Sequence, residues 1–313
     1  MDSTQSLPGW HTRAVVGSML LAATGYLGFA LWSGWQEVLA AIGKVGVLGV
    51  AAALSLSLAN YGLRFIRWQA YLRAMDHPVP WRPSLKIYIA GFALTTTPGK
   101  AGEALRGVLL KRLGTPYPTS LAAFLSERLS DLLAVVVLTL FGLTVYPMSQ
   151  PMVAVGAAGV VAAFLVLSSQ GLLQRLHGAV TGTARIASLL RDGLQVLLQA
   201  RRCHTPALLA GATGLSLVAW AAEAWAFHLI LQWMGLDVPL GFAVFVYAIS
   251  MLAGALSFMP GGLGGAEFAM VTLLAWQGIP GPDAIAATVL IRLTTLWFAV
   301  GIGVPVLSCS LDK

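Results

Sequence analysis

Residues 260–267 read PGGLGGAE and interrupt an otherwise apolar run. Pro260 has no amide hydrogen to give, and the glycines around it cannot hold a helix. How tightly this constrains the fold depends on the solvent around the run. The 313-residue chain is 58% hydrophobic and only 10% charged, whereas soluble domains carry about 25% charged residues. So few polar side chains cannot cover a water-facing surface, and the sequence reads as an integral membrane protein. In hydrocarbon, backbone that has left the helix survives only where protein or a water-filled cavity covers it. A shorter version of the break, PGKAGE, occupies 98–103. The chain therefore reads as two copies of a unit built around this break.

Apolar spans are expected at about 14–32, 45–68, 119–146, 152–168, 206–233 and 283–307. The runs flanking the breaks, 85–97 with 101–113 and 240–259 with 266–277, are shorter. A 13-residue run is about 20 Å of helix, less than the ~30 Å hydrocarbon core. Each pair is expected to form a re-entrant hairpin that enters and leaves on one face. Residues 170–204 carry Arg175, Arg185, Arg191, Arg201 and Arg202 among Leu and Val, which suits amphipathic helix lying at the bilayer surface.

The two breaks share a frame. Glu103 to Gly114 and Glu267 to Gly278 are each 11 residues, Gly114 to Arg128 and Gly278 to Arg292 each 14, and Arg64 to Tyr88 and Glu223 to Tyr247 each 24. The fold class that follows is an all-α polytopic membrane protein, one domain over 1–313. It has about six spanning helices and two hairpins in an inverted repeat, with copy one at about 45–146 and copy two at about 206–308. That architecture places a site between the repeats near the midplane. The 19 Lys+Arg against 12 Asp+Glu concentrate at 69–86 and 170–204, which puts both termini in the cytoplasm by the positive-inside rule. They suit membrane topology rather than nucleic acid. Cys203 and Cys309 match no metal spacing. The polar N-terminus does not read as a cleaved signal peptide.

Charges at bilayer depth are costly and mark function. Glu267 and Arg292 lack partners in their own helices, so they are expected to pair with each other, and by symmetry Glu103 with Arg128. In copy one, local pairing of Glu103 with Arg106 and of Arg128 with Asp131 is an equal alternative. Lys100, at a half-helix start among exposed amides, suits an anion such as a lipid phosphate, or snorkels to the interface. The candidate substrate-binding set is Lys100, Glu103, Arg106, Arg128, Glu267 and Arg292. The backbone breaks are Pro98 and Gly99, and Pro260, Gly261, Gly262 and Gly264. Glu223 and His228 are a candidate proton relay or a satisfied buried pair. Thr95, Thr96 and Thr97 are expected to bond backbone at the first break, Arg64 and Arg67 to mark the cytoplasmic boundary, and Trp32, Trp68, Trp81 and Trp233 to sit in interfacial belts.

PGKAGE at 98–103, Glu127 and Arg128 with Asp131, PGGLG at 260–264 with Glu267, and Arg292 together resemble the lysylphosphatidylglycerol synthase transmembrane-region family. The resemblance runs from about residue 14 to 308. It implies a flippase-like protein that moves a lipid or lipid-linked group between leaflets of a bacterial cytoplasmic (inner) membrane. The full-length synthases continue into a soluble aminoacyl-transferring domain. This chain ends at Lys313, so no synthase activity, cofactor or metal is expected. The expected partners are a phospholipid or polyprenyl-phosphate type lipid and a lipid-modifying enzyme. The alternative is a membrane enzyme using Glu103, Glu127 and Asp131 as acid/base or metal groups, or a scaffold acting on lipid-phosphate or polyprenyl-linked glycosyl carriers.

Overall fold

The computed structural model describes residues 28, 35–96, 106–143, 150–181, 185–257 and 259–311. The expected span at 14–32 and the first break with Thr97, Pro98, Gly99, Lys100 and Glu103 lie outside the described residues, so the Glu103 pairings do too. Regular structure among the described residues is helical throughout. In order these are α1 (Trp35–Ala74), α2 (Trp81–Phe92), α3 (Arg106–Lys111), α4 (Tyr117–Leu143), α5 (Gln150–Ser168), α6 (Gln170–Ala179), α7 (Arg185–Arg201) and α8 (Pro206–Trp233). They continue with α9 (Leu240–Leu256), α10 (Gly265–Trp276), α11 (Gly281–Arg292) and α12 (Phe298–Leu311). A π-helical turn, Leu293–Trp297, joins the last two.

Proline and glycine punctuate these elements. Pro206 opens α8 in its first turn, where its missing amide costs nothing. Gly114 and Gly278 follow α3 and α10 at φ 84° and 88°, a conformation that side chains with a Cβ resist. After each, the next amide reaches back to a helix carbonyl, Thr115 to Leu110 and Ile279 to Leu274, both at 3.1 Å. This closes the helix ends in the same way.

Among the described residues four helical runs are long and apolar enough to cross a membrane: Trp35–Ala74, Gln150–Leu167, Pro206–Trp233 and Gly281–Cys309. The 27-residue α4 is of similar length but carries Glu127, Arg128 and Asp131. The 17-residue α9 and 12-residue α10 are about 26 and 18 Å long, short of the hydrocarbon core.

Two boundaries differ from the sequence reading. The stretch 35–44 is helical, with its Glu37 and Lys44 exposed, and the interruption comes at Gly46, φ 68°. The same helix runs past Trp68 to Ala74, because Arg64 and Arg67 do not mark a water boundary. Residues 170–204 form two helices rather than one, with Ile186, Leu189 and Leu190 exposed.

α1 packs along α8, α4 against α9, α2 against α12, and α1 against α11. Two apolar cores result. One is built around Phe227, Phe245, Ile249 and Ile291, the other around Trp68, Tyr71, Leu72 and Leu110.

Candidate functional site

Between the two cores lies a cavity of about 380 Å³, within the size range of small-ligand sites. Among the described residues five charged side chains reach its wall: Arg64 from α1, Arg128 and Asp131 from α4, Glu223 from α8 and Arg292 at the end of α11. Tyr61, Thr95, Trp220, Tyr247, Thr295 and the glycines of the second break, Gly261 and Gly262, line it too.

The second break is held by one ion pair. Gly261, Gly262 and Gly264 take φ of 63°, 70° and 84°, which strips this backbone of helical partners. Glu267 in the first turn of α10 accepts the Gly264 amide at 2.7 Å through Oε2. Its Oε1 accepts Arg292 Nε at 2.6 Å. Arg292 also donates through a terminal nitrogen to the Gly261 carbonyl at 2.8 Å. The pair read from the sequence thus supplies hydrogen-bond partners to the backbone it sits beside. The end of α2 meets this break directly: a Cβ at Gly261 would lie 3.6 Å from Thr96 Cα. Thr95 Oγ1 donates to the Phe92 carbonyl at 2.9 Å, the backbone role expected of it.

The first half holds a denser charge cluster. Asp131 accepts Arg64 at 3.0 Å, Arg67 at 2.7 Å and Arg128 at 3.2 Å. It also accepts the Trp220 indole N–H from α8 at 3.1 Å. The Arg128–Asp131 contact is the local one of the two alternatives. Glu127 binds Arg106 at 2.8 Å and lies 3.9 Å from Arg67. Arg106 packs over the Trp68 and Tyr88 rings, 4.5 and 5.1 Å from their centroids. It therefore sits behind the cavity wall rather than on it, as does Glu267.

Arg67 overturns a reading. Its side chain is 0% exposed, hydrogen-bonded to Asp131 and to Ser216 of α8, so it is an interior ion rather than a boundary marker. Trp68 is equally enclosed and donates to Ser84 at 3.2 Å, so it belongs to the core and not to an interfacial belt. A carboxylate far along the chain, Asp131, offsets the buried charge of Arg67, and Arg64, read the same way, lines the cavity. The spacing from Arg64 to Tyr88 equals that from Glu223 to Tyr247.

Glu223 accepts a 2.5 Å hydrogen bond from Tyr247 of α9. His228 is buried, its Nδ1 has no hydrogen-bond partner, and it does not reach the cavity wall. No hydrogen bond joins the two among the described residues. Among the described residues no three His, Cys, Asp or Glu groups gather as metal ligands.

Besides the Arg67–Ser216 bond, further contacts cross between α1 and α8 or their neighbours. Asn60 donates to the Ala219 carbonyl at 2.9 Å across a separation of 159 residues. Tyr61 O–H donates to the Thr295 carbonyl in the π turn at 2.6 Å, and Trp220 makes the bond to Asp131 already described.

Comparison with known proteins places the chain. A UPF0104 membrane protein of Methanothermobacter thermautotrophicus is 24% identical over 304 residues, covering 90% of this chain and 90% of the relative. Another from the same organism is 25% identical over 316 residues, 93% of this chain and 92% of the relative. A protein named glycosyltransferase AglD, from Haloferax volcanii, is 25% identical over 319 residues; the match takes in 88% of this chain but 51% of that one. The model of the lysylphosphatidylglycerol synthase TM region matches residues 15–303. The chain is a member of the lysylphosphatidylglycerol synthase transmembrane-region family.

Proposed function

We propose that this protein carries the phosphate-bearing headgroup of a membrane lipid, or of a lipid-linked intermediate, from one leaflet to the other. The observation that carries the reading is the cavity itself. It lies at the meeting point of two apolar cores and has Arg64, Arg128 and Arg292 in its wall. Arginine suits phosphate oxygens. In this reading Arg128 and Arg292 touch the headgroup, Lys100 meets it at the first break, and Glu267, Glu103 and Arg106 position those groups. The acyl chains stay in lipid.

The finer architecture belongs to the same reading. Six spans and two re-entrant hairpins form an inverted repeat, with copy one at about 45–146, the surface helices at about 170–204 and copy two at about 206–308. A shift of 159 residues takes Tyr61 to Trp220 and Arg64 to Glu223, so the bonds of Tyr61 to α11–α12 and of Trp220 to α4 fall at corresponding places. Asn60 and Ala219 then lie where the two copies cross. The membrane is a bacterial cytoplasmic (inner) membrane with both termini inside, supported by the basic segments.

Reconstitution tests it. Vesicles containing the protein should exchange labelled phospholipid or polyprenyl phosphate between leaflets faster than protein-free vesicles. Arg128→Ala and Arg292→Ala should slow that exchange. Exchange no faster than in empty vesicles for every lipid tried would sink the proposal. A second reading has one observation behind it: a relative carries the name glycosyltransferase, and this chain matches about half of it. The chain would then be an accessory to an enzyme acting on a polyprenyl-linked glycosyl carrier. That reading expects co-purification with the enzyme and no leaflet exchange.

A further inference from the structure

Glu223 differs from the other charged groups of the cavity wall. Asp131 holds Arg64 and Arg128, and Arg292 is held by Glu267. Glu223 is 5% exposed, lines the cavity, and among the described residues has no ion pair; its partner is the Tyr247 hydroxyl. α8 packs against α1, α4, α9 and α11. The charged and titratable groups these present to the same cavity are Tyr61 and Arg64, Arg128 and Asp131, Tyr247, and Arg292. Arg64 and Arg128 share Asp131 with Arg67, and Arg292 is bonded to Glu267; among the described residues none of them is ion-paired with Glu223. An anionic headgroup entering this space therefore adds negative charge beside a carboxylate that has no cation of its own. A like charge at short range favours the neutral form of a carboxylic acid. A proton on Glu223 removes that repulsion.

We propose that Glu223 takes up a proton as the anionic headgroup binds, so that phosphate and proton occupy the cavity together. The inference rests on the headgroup reading above. The bookkeeping is simple: one proton leaves bulk water and forms an O–H bond on the carboxylate, and nothing is oxidised or reduced. Tyr247 keeps its bond to the other oxygen and holds the carboxyl toward the cavity. His228 takes no part, since it does not reach the wall.

The test is calorimetric titration of the purified full chain in non-ionic detergent with dihexanoyl-phosphatidylglycerol. Its phosphodiester does not titrate near neutrality. Runs at pH 7 in two buffers of different ionisation enthalpy report the protons bound per lipid. Wild type should take up about one proton per lipid, His228→Gln likewise, and Glu223→Gln none while still binding. Wild-type affinity should fall about tenfold per pH unit once pH exceeds the carboxyl's titration in the empty cavity, a readout that needs no variant. Binding without proton uptake by wild type, or equal uptake by Glu223→Gln, overturns the proposal and leaves the headgroup reading intact. No binding of the probe at any pH overturns the headgroup reading and this inference with it.

Discussion

Arg67 has no exposed surface, yet it sits in a chain with few charges to spare. A lone buried guanidinium would be prohibitive, and Asp131 and Glu127 together make it tolerable. The same logic governs Glu267 and Arg292. Removing either partner alone strands a buried charge at a cost of about 3–5 kcal/mol. Glu267→Leu and Arg292→Met should each lower the thermal midpoint measured by size-exclusion in detergent. The double variant should recover part of the loss, but not all, because the Gly261 carbonyl and Gly264 amide lose their partners as well. This pair was legible in the sequence because neither residue had an opposite charge within a turn of its own helix. Arg67 was not: its carboxylate lies 64 residues away on another helix, and nothing local distinguishes a buried arginine from one at the interface.

At the scale of elements, close approach is set by glycine. A Cβ on Gly91 of α2 would fall 2.6 Å from Arg106 Cδ. Gly91→Val should therefore push Arg106 off Glu127 and destabilise the α2–α3 pairing by about 1–3 kcal/mol, visible as a lower midpoint in the same assay. The paired surface helices invite a different measurement. Leu190 is exposed, and Asp192, two residues further along α7, lies on the opposite face of the helix. If α7 rests on the bilayer, a spin label at Leu190→Cys should be relaxed more by oxygen than by a polar nickel chelate, and one at Asp192→Cys the reverse. Cys309 is exposed and must first be replaced by serine. Burial pushes the Cys203 thiol up to about 12, so the thiol-directed label, which needs thiolate, spares it. Equal behaviour at both positions would remove the surface-helix assignment. The amphipathic character of 170–204 was plain from its arginines. The division into α6 and α7 was not, since no proline or charge run marks it.

At the scale of the molecule, the proposed inverted repeat makes the two breaks open to opposite sides. Cysteines replacing Lys100 and Met259 should react with impermeant maleimide from opposite faces of sealed vesicles; labelling of both from one face would end the symmetry. The sequence by itself determined that the chain is a helical membrane protein and that its backbone departs from helix at 260–264. Those features follow from composition and from local chemistry, since a bilayer accepts few charges and proline and glycine act on the residues beside them. It also marked Glu267 and Arg292 as partners. Only the tertiary structure decided that Asp131 gathers three arginines, that Arg106 is caught between Glu127 and two aromatic rings, and that Glu223 faces a cavity beside Tyr247. Charge pairing acts through space, between helices whose order along the chain does not reveal which of their faces meet.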